Sequence, residues 1–288
     1  MLGQHISTQL INNNYTVGYL TRSPFKSSVG IKSFLWDVDH GNIDPEAIPW
    51  ADHIIHLAGE TVGQRWSPSV REKILHSRVN STKLLIKYLA QQNHYLKSFI
   101  SASAIGFYGD DTGDEVHTEG SPKGNGFLAD VVEAWEAAID EAAQFANQVV
   151  KLRIGVVLAK EGGALPKMAT PVKWGVGSVL GSGKQWMSWI HINDLSKMFL
   201  FAVEQPLQGV FNAVGPNPVN NKDFTQLIAK HLKRPLILPP TPKFVLNTLL
   251  GKMSVLAIGG NKTLPKAMQE AGFKFEFNTA EEALSSLL

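Results

Sequence analysis

The chain has 288 residues, of which 44% are hydrophobic and 18% charged, so the composition excludes an intrinsically disordered protein. Its 27 Lys and Arg against 25 Asp and Glu leave a formal net charge of +2, a near balance that argues against a dedicated nucleic-acid-binding protein. The absence of cysteine excludes a disulfide framework, a zinc–thiolate site and a cysteine nucleophile.

Neither a signal peptide nor a membrane span is predicted. The first five residues lack a basic region and an apolar region, and the apolar stretch 245–260 is short and broken by Asn247 and Lys252. We therefore expect a soluble cytoplasmic protein with no membrane partner, and a length that suits one large α/β domain or such a domain with a smaller partner.

Apolar periodicity alternates between helix and strand through the first half of the chain. Ser67 and Pro68 predict a helix start, with a serine cap and a proline at the first helical position. Alternation of this kind predicts βαβ units in a doubly wound parallel sheet, which binds ligands at the carboxyl ends of its strands. The predicted helices are 4–13, one from 67 onward and 127–148, and the predicted strands are 16–20, one through Phe34 and Trp36 to Asp37, 53–58, 98–101 and 149–153.

Beyond residue 154 glycine-rich turns and proline clusters interrupt the pattern, apart from an apolar strand at 189–192 and a helix from Asn193. We predict a dinucleotide-binding Rossmann-like domain over 1–157, to which 185–215 returns. A smaller α-rich C-terminal domain on the substrate side is predicted over 158–184 and 216–288.

A glycine-rich turn normally follows the first strand of such a sheet and sets a pyrophosphate on the first helix. Here the sequence enters that helix at once, and Gly3 fits the last glycine of the motif. We expect that the first strand and most of the glycine motif are missing. The alternative is that Gly3 is an ordinary residue near a terminus.

The predicted second strand ends without an acid, at Thr21 and Arg22, with Lys26 nearby. Because an acid there binds the ribose of NAD whereas a basic residue accommodates a 2′-phosphate, we predict NADP(H) as cofactor. The alternative is that Arg22 is a solvated surface residue. Asp37 and Val38 suit the adenine edge, and Ala58–Gly59 allow close backbone approach. The predicted cofactor-binding residues are Gly3, Thr21, Arg22, Asp37, Val38, Leu57, Ala58, Gly59 and Arg153.

Two motifs, Asp-His-Ile-Ile-His-Leu-Ala-Gly-Glu at 52–60 and Ser-Ala-Ser-Ala-Ile-Gly-Phe-Tyr-Gly at 101–109, resemble those of atypical or extended short-chain dehydrogenases/reductases. Further stretches resemble the uncharacterised "epimerase family proteins" often labelled nucleoside-diphosphate-sugar epimerases. These are Arg65-Trp66, Ser77-Arg78-Val79, Trp135-Glu136, the segment 181–191 and Glu270-Ala271-Gly272-Phe273. The resemblance runs from Gly3 to the end, and it implies a Rossmann fold, NADP(H) binding and a substrate pocket under the C-terminal domain.

The chain departs from that pattern at the catalytic set of Ser, Tyr and a Lys four residues after the Tyr. Ser103 falls on the Ser position, but no Tyr-x-x-x-Lys occurs in the helix where the pair belongs, and Tyr108 is the one tyrosine near Ser103 in sequence. Because the chain lacks the Lys that lowers the pKa of the tyrosine phenol, we do not expect the standard mechanism in which that Tyr transfers the proton. We name Ser103 and Tyr108 as the candidate catalytic residues and predict no metal site.

A second departure concerns the substrate, because Met187 stands where sugar-nucleotide epimerases carry a phosphate-binding Arg. This disfavours a nucleotide-sugar substrate. We interpret His191 as a structural residue, the alternative being a proton carrier, and Trp135 as part of the core. Trp66 and Trp186 lie in polar loops typical of ligand contacts. The predicted substrate-pocket residues are Glu60, Arg65, Trp66, Lys184, Gln185, Trp186, Met187, Trp189 and His191.

These patterns predict an NADP(H)-dependent oxidoreductase or epimerase-like enzyme acting on a small-molecule substrate, without the usual Tyr–Lys pair. Ser103 is expected to polarise the reacting carbonyl or hydroxyl. The alternative is a catalytically silent NADP(H)-binding sensor or scaffold protein. No nucleic-acid partner is expected, and the oligomeric state is not predicted.

Overall fold

Strands and helices alternate along most of the computed structural model, which describes residues 1–23, 25 and 31–288. The α-helices are α1 (Leu2–Asn12), α2 (Ala47–Trp50), α3 (Pro68–Gln91), α4 (Phe127–Asp140), α5 (Leu165–Lys173), α6 (Ile192–Glu204), α7 (Asn221–His231), α8 (Lys243–Leu250), α9 (Val255–Ile258), α10 (Lys266–Glu270) and α11 (Ala280–Leu287). The strands are β1 (Val17–Thr21), β2 (Ile31–Asp37), β3 (Asn42–Ile43), β4 (His53–His56), β5 (Leu96–Ala104), β6 (Asp111–His117), β7 (Ala146–Ile154), β8 (Val156–Ala159), β9 (Gly162–Gly163), β10 (Trp186–Met187), β11 (Trp189–His191), β12 (Gly209–Ala213), β13 (Val219–Asn220) and β14 (Gly260–Thr263).

The central sheet has four parallel strands in the order β12-β7-β5-β4. Phe99 and Ile100 on β5 and Val150 and Leu152 on β7 are fully buried, as expected for strands covered on both faces by helices. Helix α4 packs on β5 and β7, and α6 packs on β5 and against α1. This arrangement confirms the predicted doubly wound α/β fold of Rossmann type, and it brings the carboxyl ends of β4, β5 and β7 to one edge.

A second, three-stranded sheet has the order β1-β2-β3, with β1 and β2 parallel. Among the residues that the structure describes, β1 pairs with β2 alone and β4 pairs with β5 alone. No described strand is hydrogen-bonded to the other side of either, so the parallel strands are divided between two sheets.

Several predicted boundaries are wrong by a few residues. The helix predicted over 127–148 ends as α-helix at Asp140, continues as a 3₁₀ turn over Glu141–Gln144, and gives way to β7 at Ala146. Pairing of Ala146 with Leu96 of β5 starts the strand there, and this tertiary contact overrides the helical propensity of the sequence. The strand predicted over 53–58 ends at His56, so Leu57 and Ala58 lie in the loop after it.

The C-terminal part is built around a second core in which Trp189, Phe224 and Leu284 are completely buried together with Leu158 and Leu165. Helices α5, α7 and α11 enclose this core, and β8 pairs in parallel with β11. Strand β12 joins the central sheet, as the predicted return of 185–215 requires, but the domain boundaries themselves stay a prediction. In the described part of the chain no helix is both long and apolar enough to cross a bilayer.

Candidate active site

A cavity of about 390 Å³ opens at the carboxyl ends of β4, β5 and β7. This is the edge at which parallel sheets of doubly wound proteins bind their ligands. Two of the residues, Leu2 and Gly3, come from the first turn of α1, whose first backbone N–H groups have no acceptor within the helix. The cavity is lined by Leu2, Gly3, Leu57, Ala58, Gly59, Arg78, Ala102, Ser103, Ala104, Trp135 and Ile154.

Arg78 of α3 supplies the one charged side chain among the lining residues. Its Nη1 donates to the carbonyl of Ile74 at 2.9 Å, and its guanidinium lies 5.3 Å from the ring centroid of Trp135. Among the described residues no carboxylate lies within 4.0 Å of it, and burial lowers its pKa although the charge of Glu60 opposes this. A half-buried guanidinium that borders a cavity without an acid partner is suited to an anionic group such as a phosphate.

Gly59 lies against the same guanidinium. A Cβ at this position would come within 3.1 Å of Arg78 Cζ, so a side chain here would require the arginine to shift by a few tenths of an ångström. Arg78 therefore lies beside the Ala58–Gly59 loop, where the sequence predicted close approach of a cofactor to the backbone. The sequence predicted Arg78 only as part of a family motif, because the sequence does not show toward which neighbour α3 directs this side chain.

Ser103, at the end of β5, is the one lining residue with a hydroxyl group. Its Oγ donates to Oε1 of Glu136 on α4 at 2.6 Å. Arg153 of β7 donates to both oxygens of the same carboxylate, from Nε and Nη2, at 2.8 Å each. Ser103, Glu136 and Arg153 are 3%, 6% and 4% exposed, so the carboxylate of Glu136 is buried together with its bidentate arginine partner.

This arrangement commits the single hydroxyl proton of Ser103 to a carboxylate that can only accept. Toward the cavity Ser103 can then only accept a hydrogen bond. Redirecting the proton to a ligand would forfeit a hydrogen bond to a charged group, which costs about 1.5–3 kcal/mol. The expected polarisation of a carbonyl by Ser103 therefore conflicts with the geometry, whereas contact with a substrate hydroxyl agrees with it.

Tyr108 lies behind this network, not in the lining of the cavity. It is 1% exposed, its hydroxyl donates to Oδ1 of Asn212 at 2.7 Å and accepts from Nη1 of Arg153 at 3.1 Å, and its ring stacks on His117. Burial raises the pKa of the phenol, although the charge of Arg153 opposes the shift. Its catalytic role stays a prediction.

Arg153, predicted to contact the cofactor, uses Nε, Nη1 and Nη2 on Glu136 and Tyr108, and it stacks at 3.5 Å from the ring centroid of Phe107. It joins Glu136 to Tyr108 and is not among the residues that line the cavity. That contact, too, stays a prediction.

His56 is a buried polar residue at the end of β4 that the sequence analysis did not single out. Its two ring nitrogens form hydrogen bonds with Ser101 at 3.2 Å and Ser81 at 2.9 Å, joining β4 to β5 and α3. Complete burial, aided by the charge of Arg78, lowers its pKa to about 4, so the ring is neutral at neutral pH.

The residues predicted to bind the adenosine end lie at the ends of β1 and β2. Arg22 is exposed, and no described carboxylate pairs with it. Asp37 accepts from the backbone N–H groups of Asp39 and His40 and from the His40 ring at 2.7 Å, and these hydrogen bonds lower the pKa of its carboxyl group. Lys26 lies outside the described residues. The assignments of Thr21, Arg22, Asp37 and Val38 stay predictions.

The structure does not gather the predicted substrate-pocket residues around this cavity. Glu60 accepts from Gln64, Arg65 is exposed, and Trp66 is buried against Phe127 while its indole N–H donates to a carbonyl in its own loop. Trp66 therefore packs a small cluster beside α3 and α4.

The C-terminal members of that set are likewise held within the fold. Gln185 donates to two backbone carbonyls, Trp186 donates to Asp114, and Trp189 is fully buried with its indole N–H on a carbonyl. Met187 borders the second core, and Lys184 is exposed. Their contact with a substrate stays a prediction.

His191 caps the N-terminus of α6, its Nδ1 accepting from the N–H of Asn193 at 3.1 Å, and its ring packs on Phe277. This agrees with the structural interpretation of His191. Burial lowers its pKa to about 4. The described residues contain no cluster of three or more His, Asp and Glu that could hold a metal ion.

A sequence model of the NAD dependent epimerase/dehydratase family matches residues 1–234. The chain belongs to this family. Residues 241–287 match a second model, a domain of unknown function called DUF1731. The family relationship confirms the predicted resemblance and, at the level of an NAD(P)-dependent epimerase/dehydratase, the predicted class.

Relatives that share this epimerase-family architecture are similar over almost their whole length. The chain is 34% identical to the epimerase family protein YfhF of Bacillus subtilis, covering 100% of this chain and 94% of that protein. It is 35% identical to the epimerase family protein ML0860 of Mycobacterium leprae, covering 99% and 92%. The crystal structure of human epimerase family protein SDR39U1 (isoform 2) with NADPH superposes with a TM-score of 0.87 at 27% identity, covering 100% of this chain and 95% of that one.

Proposed function

We propose that the protein is an NADP(H)-dependent oxidoreductase or epimerase-like enzyme that acts on a small-molecule substrate in the cavity at the end of β4, β5 and β7. The proposal rests on one observation. A single cavity is bordered by the first turn of α1, the Ala58–Gly59 loop, the hydroxyl of Ser103 and the guanidinium of Arg78, which has no carboxylate partner among the described residues. Glycine near a helix N-terminus and an unpaired cation fit a dinucleotide phosphate. A bound nicotinamide would supply the hydride chemistry.

A preference for NADP(H) over NAD(H) is supported by the end of β1. An exposed Arg22 follows Thr21, and no acid stands there to bond the ribose hydroxyls. The relative SDR39U1 was crystallised with NADPH. We infer that Arg22 contacts the 2′-phosphate.

Ser103 orients the substrate in this proposal. Since its proton is held by Glu136, its oxygen accepts from a substrate O–H, and the Glu136–Arg153 pair fixes the position of the hydroxyl group. Trp135 closes the same side of the cavity, and its buried indole N–H has no acceptor among the described residues. We infer that the substrate carries a hydroxyl group at the reacting carbon.

A silent cofactor-binding protein is the second candidate. It is favoured by one observation: the polar lining side chains are Arg78, Ser103 and Trp135, and none of them is a conventional acid–base group. The two candidates make the same prediction for cofactor binding and opposite predictions for turnover.

Fluorescence titration with NADPH and NADH, followed by a screen of secondary alcohols with NADP⁺ and of carbonyls with NADPH, tests the proposal. We expect tighter binding of NADPH, and Arg22→Ala to weaken NADPH alone by about tenfold, the loss of one charge-assisted contact. Lys32→Ala, another exposed cation in the same sheet, is the control and is expected to leave both affinities unchanged.

Turnover that Ser103→Ala abolishes while NADPH affinity is kept supports the enzyme. Tight NADPH binding without turnover over the whole screen supports the silent binding protein instead. NADH preference that Arg22→Ala does not change contradicts the 2′-phosphate assignment.

A further inference from the structure

Exposed apolar side chains are concentrated on one part of the C-terminal region. Among the described residues the five most exposed large hydrophobic side chains are Trp174 (77%), Ile237 (75%), Phe244 (70%), Leu249 (70%) and Val176 (59%). All five lie in the loop after α5, in the loop 232–242 or on α8. A soluble surface rarely gathers its most exposed apolar side chains in this way unless they contact something.

Backbone contacts place these segments side by side. Thr241 and Leu180 form a parallel bridge, in which the N–H of Thr241 donates to the carbonyl of Val179 and the N–H of Gly181 donates to Thr241, each at 2.8 Å. The hydroxyl groups of Ser178 and Thr241 are 2.6 Å apart. The loop after α5 and the loop 232–242 therefore run side by side at this bridge, with Val176 and Ile237 each four residues before it in sequence.

The same region is strongly basic. Segments 162–193 and 224–269 contain ten Lys and Arg and no Asp or Glu, so the remainder of the chain holds 17 Lys and Arg against 25 Asp and Glu, a net charge of −8. The near-neutral total of +2 therefore hides a division between a basic C-terminal region and an acidic remainder.

Five exposed cations lie within four residues of these apolar side chains in sequence, and none has a carboxylate within 4.0 Å in the described part of the chain. The side chain of Lys243, for instance, lies over Gly181. We call the combined patch the basic apolar surface; its apolar members are Trp174, Val176, Ile237, Phe244 and Leu249, and its basic members are Lys173, Lys233, Arg234, Lys243 and Lys252.

We propose that the basic apolar surface binds the face of an anionic lipid bilayer. Aromatic and aliphatic side chains flanked by unpaired cations are the pattern by which surface-bound proteins enter the head-group boundary while lysine and arginine contact anionic lipids. A second copy that docks symmetrically through the same surface would bring like charges together, and a nucleic acid offers no partner for five large apolar side chains. The expectation of no membrane partner rested on the lack of a spanning segment, which does not bear on surface binding.

Co-sedimentation of the full chain with vesicles tests this. We expect association with vesicles of phosphatidylcholine mixed with phosphatidylglycerol, little association with pure phosphatidylcholine, and release by high salt because the attraction is screened. The double variants Phe244→Ser with Leu249→Ser, and Lys243→Glu with Lys252→Glu, are each expected to weaken binding by about tenfold or more.

The matched controls make the same changes at exposed positions elsewhere. Leu35→Ser with Tyr95→Ser, and Lys83→Glu with Lys87→Glu, are expected to bind as the unaltered protein does. Thermal melting followed by circular dichroism checks that each variant folds. If the α8 variants do not fold, vesicle co-sedimentation of the double variant Trp174→Ser with Ile237→Ser tests the loop residues of the same surface.

Four results would overturn the proposal. These are no vesicle association, equal association with pure phosphatidylcholine, variants that bind undiminished, and a surface that binds heparin or RNA, or a second copy of the chain, without binding vesicles.

Discussion

Glu136 is a single carboxylate on which three other side chains depend. It accepts hydrogen bonds from Nε and Nη2 of Arg153 and from the hydroxyl group of Ser103. Arg153 in turn donates from Nη1 to the hydroxyl group of Tyr108. With 6% of Glu136 and 4% of Arg153 exposed, neither charge has water to replace its partner. Removing one member of such a pair leaves an uncompensated buried charge.

We predict that Glu136→Gln lowers the free energy of unfolding by about 3–5 kcal/mol, because Arg153 stays buried without its counter-ion. Urea denaturation at neutral pH measures the change. Glu133→Gln, on the same helix but in an exposed pair with Lys123, is the control and should cost less than about 1 kcal/mol.

The double variant Glu136→Gln with Arg153→Met should cost less than the sum of the two single changes, since it removes both charges of a coupled pair. Additive losses, or a loss below about 1 kcal/mol for Glu136→Gln alone, would show that the pair is not coupled as the distances indicate.

Among the secondary-structure elements, β4, β5 and α3 meet at His56. Its neutral ring bridges Ser101 and Ser81. Burial lowers the pKa of His56 to about 4 in the folded protein, compared with 6.5 for a histidine that is not buried. Between those values the unfolded chain binds a proton that the folded chain does not. Stability is therefore lost as the pH falls from about 6.5 toward 4.

From pH 7 to pH 5 this one group should lower the free energy of unfolding by about 2 kcal/mol. The measurement compares urea denaturation of the protein and of His56→Gln at both pH values. The glutamine keeps hydrogen-bonding capacity and does not titrate, so its pH dependence should be smaller by that amount. Other groups, His191 included, contribute to both proteins and cancel. An identical pH dependence in the two proteins would contradict the neutral buried histidine.

Local sequence patterns predicted which segments form helices and which form strands. They did not predict where these elements end or which face of a helix is turned toward the sheet. Apolar runs were enough to predict β4, β5 and β7, because these strands are covered on both faces. The boundary between α4 and β7 was missed, since residues 141–148 contain no glycine or proline and β7 begins where it pairs with β5.

The same division holds for the site. Ser103 was named from the resembled family's Ser position, and Ala58 and Gly59 from their place after a predicted strand; all three line one cavity at the carboxyl ends of the strands. Arg78 and Glu136 were not identified as site residues because their positions depend on how α3 and α4 dock on the sheet. Gln185, Trp186, Trp189 and His191 form hydrogen bonds within the fold, and their contact with a substrate stays a prediction.

Across the whole molecule, the proposed cofactor site and the proposed bilayer-binding surface lie in parts of the chain with opposite net charge, the basic part being segments 162–193 and 224–269. The cavity lies on the sheet of the acidic remainder, whereas the basic apolar surface belongs to the C-terminal region, so cofactor binding and bilayer binding make independent demands. Variants of the basic apolar surface named above leave every cavity-lining residue in place.

The central claim, that this cavity holds NADP(H), is tested most directly by a crystal structure of the protein grown with NADPH. We expect density along the Ala58–Gly59 loop, a phosphate within hydrogen-bonding distance of Arg78, the 2′-phosphate at Arg22 and the nicotinamide end beside Ser103. NADPH bound elsewhere on the chain, or an Arg78 that contacts no part of it, would contradict this proposal.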